Sequence, residues 1–301
     1  MGDIKCMPEG FKPSVAAELG NLVVAAYDQF DQSKVPPAPP RQPRAPKWPL
    51  TPPYDLVTEF SAEPPKHDSE KFGFVARRTD TGNFYVVFRG TQTLGDWLAN
   101  ADFVQVDQQH GWGKVERGFS GVYGGSAPTI IKALAGNPGR VFVAGHSLGG
   151  SLATLCTADV RARLGAATTL YAFASPRTGD PVFARRFNTE CPVTWRIVNT
   201  EDIVNTVPLA ATAVTELNLG GLDHAAHLLE NIPRLGSLVK EHLGRVRSLF
   251  GGENFEHVGT SVDFTQHNET IVANHDMRTY LTALGVPIET PLAQTAAASG
   301  S

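Results

Sequence analysis

Residues 141 to 155 read VFVAGHSLGGSLATL and set Ser147 between Gly145 and Gly149. A serine hydroxyl attacks an acyl carbon only when a base takes its proton and an acid holds that base in the right tautomer. With 29 glycines in 301 residues, Gly-x-Ser-x-Gly is expected by chance about 0.1 times, so context must separate a nucleophile from the competing use of serine as a helix N-cap. Val141, Phe142 and Val143 read as a buried strand, and Leu148, Leu152, Leu155, Cys156 and Val160 recur at helical spacing. A serine on a sharp strand-to-helix elbow has its hydroxyl exposed above the sheet edge, with glycines where a Cβ would collide with the neighbouring strand and helix. The same elbow aims the Leu148 amide, at the helix N-terminus, toward any negative oxygen formed beside the serine.

A base and its acid should follow in the chain. After the strand-like TWRIVN comes TEDIVNTVP, which places Glu201 and Asp202 at the carboxyl end of a strand, where loops of an open α/β sheet carry chemistry. Asp202 is the chosen acid and Glu201 the reserve; two solvated carboxylates in a turn is the bland alternative. Downstream lie His224, His227, His242, His257, His267 and His275. The first three fall in a helical segment, His257 opens a strand and His267 sits in a polar turn. His275, in ANHDMRTYLTAL, lies in a loop before the last helical stretch and is the best geometric candidate.

Six strand-like runs must position these groups: FGFVARR (72–78), FYVVFRG (84–90), VFVAG, TTLYAFA (168–174), TWRIVN (194–199) and HVGTSVDF (257–264). An antiparallel hairpin followed by strand–helix alternation predicts an α/β fold, a mixed, mostly parallel sheet with helices on its faces. Residues 14–30 carry Val15, Leu19, Leu22, Val23, Ala26 and Tyr27 on one helical stripe after Ser14 as cap. Residues 35–53 hold nine of the 22 prolines and read as an extended belt. A single domain over 1–290 is expected, with a small, polar, disordered tail over 291–301.

Formal net charge is −4 and the isoelectric point about 6.1, so no basic field favours nucleic acid as a partner. No apolar run reaches the length of a membrane span. Cys6, Cys156 and Cys191 are odd in number, which argues against a disulfide scaffold, and no Cys/His cluster has metal-ligand spacing. The opening MGDIKCMPEGFKPS lacks a charged-then-apolar leader, and Cys6 stands where myristoylation wants Ser or Thr. The expectation is a cytoplasmic or peripheral-membrane protein with neither metal nor cofactor.

With these residues in hand, the chain resembles the class 3 lipases, the α/β-hydrolases related to fungal triacylglycerol lipases. The resemblance rests on VVFRGTQTLGDWLANADF (86–103), GHSLGGSLATL, FASPRTGD (173–180), RIVNTEDIVNTVP (196–208), HVG and NHDMRTYL. It implies an α/β-hydrolase fold with nucleophile Ser147, acid Asp202, base His275, and oxyanion donors at Thr91 and Leu148. It also implies a short lid, here about residues 92–103, where Leu94, Trp97, Leu98 and Ala99 cluster beside Asp96 and Asn100; the alternative is a helix packed permanently on the core. The implied activity is hydrolysis of an apolar acyl ester, most simply an acylglycerol. Soluble carboxylesterase, phospholipase A1 and feruloyl esterase activities, or a non-catalytic interaction protein on the same fold, are the alternatives.

Two departures from the family pattern stand out. VERGF puts Glu116 where the family often has histidine, near the rim of the site and outside the triad. Residues 209–256 form a long helical insertion in which 222–250 repeat apolar residues at three- and four-residue steps, with Arg234, Lys240, Arg245 and Arg247 in its second half. Such a basic amphipathic segment is a candidate for a lipid or membrane interface or a cap on the acyl site; the slightly favoured alternative is a helical hairpin, broken near Pro233, that only packs on the body.

Overall fold

The computed structural model describes residues 4, 7–34, 54–63, 69–91, 103–136, 139–208 and 254–286. The expected Pro-rich belt, nearly all of the lid, residues 209–253 of the insertion and the tail lie outside them. So do Leu94, Trp97 and Leu98.

A seven-stranded sheet organises the described chain. In sequence order its strands are β1 (Tyr54–Ala62), β2 (Glu70–Arg78), β3 (Phe84–Phe88), β6 (Val141–His146), β7 (Thr168–Phe173), β8 (Thr194–Asn199) and β9 (Thr260–Phe264), and they are neighbours in that same order. The first two pairings are antiparallel and the rest parallel. A small antiparallel pair, β4 (Gln105–Asp107) and β5 (Lys114–Glu116), stands apart. This is the mixed, mostly parallel sheet of the α/β-hydrolase fold.

Alternation along the central strands builds a core on each face. Phe84, Val86 and Phe88 of β3, Val141 and Val143 of β6 and Leu170 and Ala172 of β7 join one core. It is completed by α2 (Arg117–Leu134), α3 (Leu148–Leu164) and α4 (Pro181–Glu190). Tyr85, Val87, Ala144, Tyr171 and Phe173 point the other way, into a core closed by α1 (Pro13–Lys34) and by α6 (Met277–Ala283), which follows the short α5 (Ile271–His275). Leu19, Leu22, Val23 and Phe30 of α1 are buried there, worth about 1.5–3 kcal/mol each. The helix runs from Pro13 to Lys34, so Ser14 lies inside it and is not its cap; proline is at home in a first turn, where its missing N–H costs nothing.

Helix α3 differs from the amphipathic stripe its leucines suggest. Every residue from Leu148 to Val160 is buried, polar ones included, because the helix lies between the sheet and α2. Thr154 and Thr157 satisfy their hydroxyls on the carbonyls one turn back, Gly150 and Ala153. Cys156 and Cys191 are buried free thiols. Among the described residues no helix is long and apolar enough to cross a membrane, and no group of three or more His, Cys, Asp or Glu could hold a metal.

The described residues on either side of 209–253 are tied to one short segment. The Arg177 amide donates to Val207 O at 2.8 Å and its Nη1 to Pro208 O at 2.7 Å, while Gly179 O accepts from the Glu256 amide at 2.9 Å. His257 closes the join by bonding Asn205 O through Nε2 at 2.7 Å. His257 therefore precedes β9, which begins at Thr260, and does not open the strand.

Candidate active site

Ser147 stands between β6 and α3 with φ 58° and ψ −131°. A non-glycine residue in this region carries roughly 1–3 kcal/mol of strain and persists only where surroundings enforce it. Its amide donates to Phe173 O at 2.9 Å and its carbonyl accepts from the Gly150 amide at 2.8 Å. The flanking glycines are required by space: a Cβ on Gly145 would sit 2.0 Å from Gly149 O, and one on Gly149 would sit 2.3 Å from Arg89 O. Ser147 makes no capping bond to its helix, so the N-cap use of this serine is absent. Its Oγ is buried and without a hydrogen-bond partner among the described residues.

Asp202 follows β8 and is about 1 % exposed. Its Oδ1 accepts from the Val204 amide at 3.0 Å, capping the 3-10 turn Ile203–Thr206, and its Oδ2 faces His275 Nδ1 at 2.7 Å. The pairing fixes the tautomer: Nδ1 carries the proton toward the carboxylate and leaves the Nε2 lone pair to act as a base. His275 Nε2 is itself buried and unpartnered, a condition that costs about 1–3 kcal/mol when nothing uses the atom. The sequence suggested a mobile loop for His275. It is instead the last residue of α5 and about 6 % exposed, since Thr270 caps that helix through the Ala273 amide. Glu201, the reserve acid, turns outward to the exposed His267 at 3.2 Å.

Tyr280 is a site residue that sequence reasoning passed over. Its hydroxyl donates to Asp202 Oδ2 at 2.6 Å, so the oxygen that meets His275 also takes a phenol proton. Burial first, then the Asp202 charge, pushes its pKa well above the ordinary tyrosine value, which keeps it a donor. The available signal was its place one helical turn or so beyond His275, on the apolar side of α6.

His146, inside the elbow motif, ties the site to α1. Its Nε2 lies 2.8 Å from His275 O, an acceptor only, so Nε2 carries the proton and Nδ1 accepts from the Tyr27 hydroxyl at 2.8 Å. Burial holds its pKa well below the ordinary imidazole value, with the nearby His275 adding to the effect, and neutral His146 can then both donate and accept. The two imidazole rings are 4.7 Å apart. Tyr27 in turn accepts the Gly90 amide at 2.9 Å.

Thr91 follows this glycine directly and is half-buried; Leu148, on the other side, opens α3 with its side chain buried. A Cβ on Gly90 would lie 2.8 Å from Ser147 Cβ, so the Gly90–Thr91 turn passes against the elbow. Glu116 is a helix cap: buried, it accepts the Phe119 amide at 2.6 Å and starts α2. The structure sets a strained serine against two backbone turns, with a carboxylate-oriented imidazole reached through the neighbouring His146 ring; Ser147 Oγ and His275 Nε2 are not hydrogen-bonded to each other. These are the parts of an acyl-transfer site.

The family model for lipase (class 3) matches residues 85–212. The lipase of Rhizomucor miehei is 37% identical over 147 residues, 46% of this chain and 40% of that protein. A secreted mono- and diacylglycerol lipase A of Penicillium cyclopium is 34% identical over 143 residues, 46% of this chain and 47% of that one. The chain's match thus spans less than half the length of these curated relatives. The solved triacylglyceride lipase of Rhizomucor miehei superposes with TM-score 0.53 at 28% identity, covering 67% of this chain and 77% of that one.

Proposed function

We propose that the chain, whose residues 85–212 match the family model for lipase (class 3), is a serine hydrolase of carboxylic esters, acting on acylglycerols through an acyl-enzyme. The observation that carries the reading is the buried Asp202–His275 pair at 2.7 Å, with His275 Nε2 and Ser147 Oγ both unpartnered. Ser147 Oγ bonds to the ester carbonyl carbon as its proton passes to His275 Nε2. The carbonyl oxygen becomes an oxyanion taken up by the Thr91 and Leu148 amides. His275 then gives its proton to the departing alcohol as the ester C–O bond breaks. Water repeats the sequence, releases the acid and returns Ser147. Asp202 holds the imidazole and balances its charge while protonated; Tyr280 steadies Asp202.

The acylglycerol assignment draws on the relatives named as acylglycerol lipases and on Leu94, Trp97 and Leu98 in residues 92–103, which we assign as a lid over an apolar acyl slot. Residues 222–250 are assigned to a lipid interface through Arg245 and Arg247. Charge reversal at both arginines is expected to lower binding to anionic vesicles, and unchanged binding removes that assignment.

The first test is initial hydrolysis rates on p-nitrophenyl esters from short to long acyl chains, for the wild type and for folded Ser147→Ala. Turnover that disappears in Ser147→Ala, and that rises when substrate passes its solubility limit, is the expected result. Turnover without that rise points to a soluble esterase. No turnover by the wild type on any chain length, with lipid or detergent present, overturns the hydrolase reading and leaves an interaction protein on the same fold.

A further inference from the structure

Arg89 is wholly buried next to the site, and the mechanism above does not use it. Its guanidinium lies between two rings, 3.7 Å from the Phe30 centroid and 4.4 Å from that of Phe72. Nε and Nη1 are hydrogen-bonded, and Nη2 is met by charge without hydrogen-bond geometry. Nε donates to Lys71 O at 2.7 Å, Nη2 pairs with the Glu70 carboxylate at 2.8 Å, and Nη1 donates to Gly90 O at 2.7 Å.

The last of these bonds reaches the chemistry. Gly90 C=O and Thr91 N–H belong to one planar peptide unit, and in a trans peptide they point in opposite directions. Whatever fixes the carbonyl therefore fixes the aim of the amide. On its other side, the Gly90 amide is held by Tyr27 at 2.9 Å, and the Gly90 α-carbon is wedged against Ser147. Both peptide units of Gly90 are clamped, one by α1 and one by a cation locked in an aromatic slot. An oxyanion donor works only when aimed within a few tenths of an ångström of where the charge develops. A buried cation is costly where an apolar side chain would fill the space, and Phe30 and Phe72 would pack equally well against methionine. What methionine lacks is a donor for Gly90 O.

We propose that Arg89 is a positioning residue of the oxyanion hole: by holding the Gly90 carbonyl it sets the plane of the Gly90–Thr91 peptide and so directs the Thr91 amide at the tetrahedral oxyanion. The inference rests on the serine-hydrolase reading of this site. Removal of Arg89 lets that peptide rotate and weakens one donor, without touching Ser147, His275 or Asp202.

The experiment uses the full chain, its active sites counted by end-point labelling with a fluorophosphonate. Arg89→Met, Arg89→Lys and Glu70→Gln are compared with wild type on p-nitrophenyl butyrate and with a reversible aryl trifluoromethyl ketone, whose serine adduct carries the oxyanion. For Arg89→Met, kcat per labelled site falls about 10- to 100-fold, KM stays within about threefold, and ketone affinity falls in parallel with kcat. The acid limb of the pH profile does not move, because the His275–Asp202 pair is intact. Arg89→Lys recovers part of the loss, since an ammonium still donates to Gly90 O, and Glu70→Gln loses a few-fold in both measures. Should Arg89→Met not fold, Arg89→Lys and Glu70→Gln decide by the same criteria. Unchanged kcat per site and ketone affinity, with only a lowered melting temperature, overturns the proposal. A wild type that neither turns over nor labels overturns the hydrolase reading instead, which the variants are not needed to show.

Discussion

Asp159 and Asp202 are built from the same three residue types and put to different ends. Each is buried, each accepts a tyrosine hydroxyl, from Tyr123 at 2.8 Å and Tyr280 at 2.6 Å, and each touches a histidine, His110 at 2.6 Å and His275 at 2.7 Å. The tyrosines agree further: burial above all raises both well beyond the ordinary value, so both remain donors. The surroundings then diverge. Asp159 also pairs with Arg163 at 2.6 Å and takes Gln109 at 2.9 Å, so a permanent cation answers its charge. Its histidine approaches through Nε2. Asp202 has no ion-pair partner but His275 among the described residues. Its charge is left for a proton on that ring to balance, and its histidine approaches through Nδ1, freeing Nε2. What separates the proposed catalytic acid from its structural counterpart is the cation it lacks as much as the histidine it holds.

The comparison can be broken most sharply at the histidines. His275→Gln is expected to lower kcat about 10⁴- to 10⁶-fold in a folded protein, while His110→Gln leaves kcat per labelled site within a few-fold. Equal losses in steady-state assays would erase the distinction. At the carboxylates, Asp202→Asn should cost about 10⁴-fold in kcat by presenting the wrong tautomer. Asp159→Asn should instead show in urea titrations, as about 1–3 kcal/mol of lost stability, because the neutral amide gives up the Arg163 charge pair and one of two acceptor oxygens.

The tyrosines sharpen it more finely. Tyr280→Phe removes a donor from Asp202, strengthens its pull on the imidazolium, and should move the acid limb of kcat/KM upward by roughly half a pH unit. Tyr123→Phe should leave that limb in place. Stability should follow pH through two further histidines, His146 beside His275 and His257 at the join with Asn205. His146 and His257 are held well below the ordinary value of 6.5, chiefly by burial. Unfolded, they bind protons below that value while the folded protein does not, so stability is whole above it and declines as pH falls through it. The decline is up to about 1.4 kcal/mol per pH unit for each histidine. Urea midpoints between pH 7.5 and 5 measure it, and His257→Gln should flatten the slope. The smallest expected effect is a gain: Ser147→Gly, inert as a catalyst, should be more stable than Ser147→Ala by about 1 kcal/mol at φ 58°.

The sequence was legible where one element carries its own pattern. VFVAGHSLGG shows strand, elbow and helix in consecutive residues, and the β-branched runs of β3, β6, β7 and β8 mark the sheet. It was opaque where the determinant is a partner far along the chain. β1, YDLVTEFSA, is an edge strand whose outer residues are exposed, so its apolar alternation is weak and it went unnamed. Helix α2 carries Gly118, Gly121, Gly124, Gly125 and Pro128, a composition that opposes helix until packing against α3 overrides it. Asp202 could be proposed from its place after β8, but its choice over Glu201 depends on which carboxylate turns inward. Tyr280 and Arg89 act across 78 residues of chain or through a peptide plane, and no local spacing encodes either.

The paired anchors at Arg177 and Gly179 have a consequence for how this chain can change. β8 and β9 are adjacent parallel strands, and the described residues flanking 209–253, Val207 and Pro208 before it and Glu256 after it, are moored to Arg177 and Gly179. A closed loop pays for extra length only logarithmically, about 0.6 kcal/mol per doubling. Insertions or deletions between the moorings therefore leave Asp202 and His275, which stand outside them on either side, at an unchanged separation.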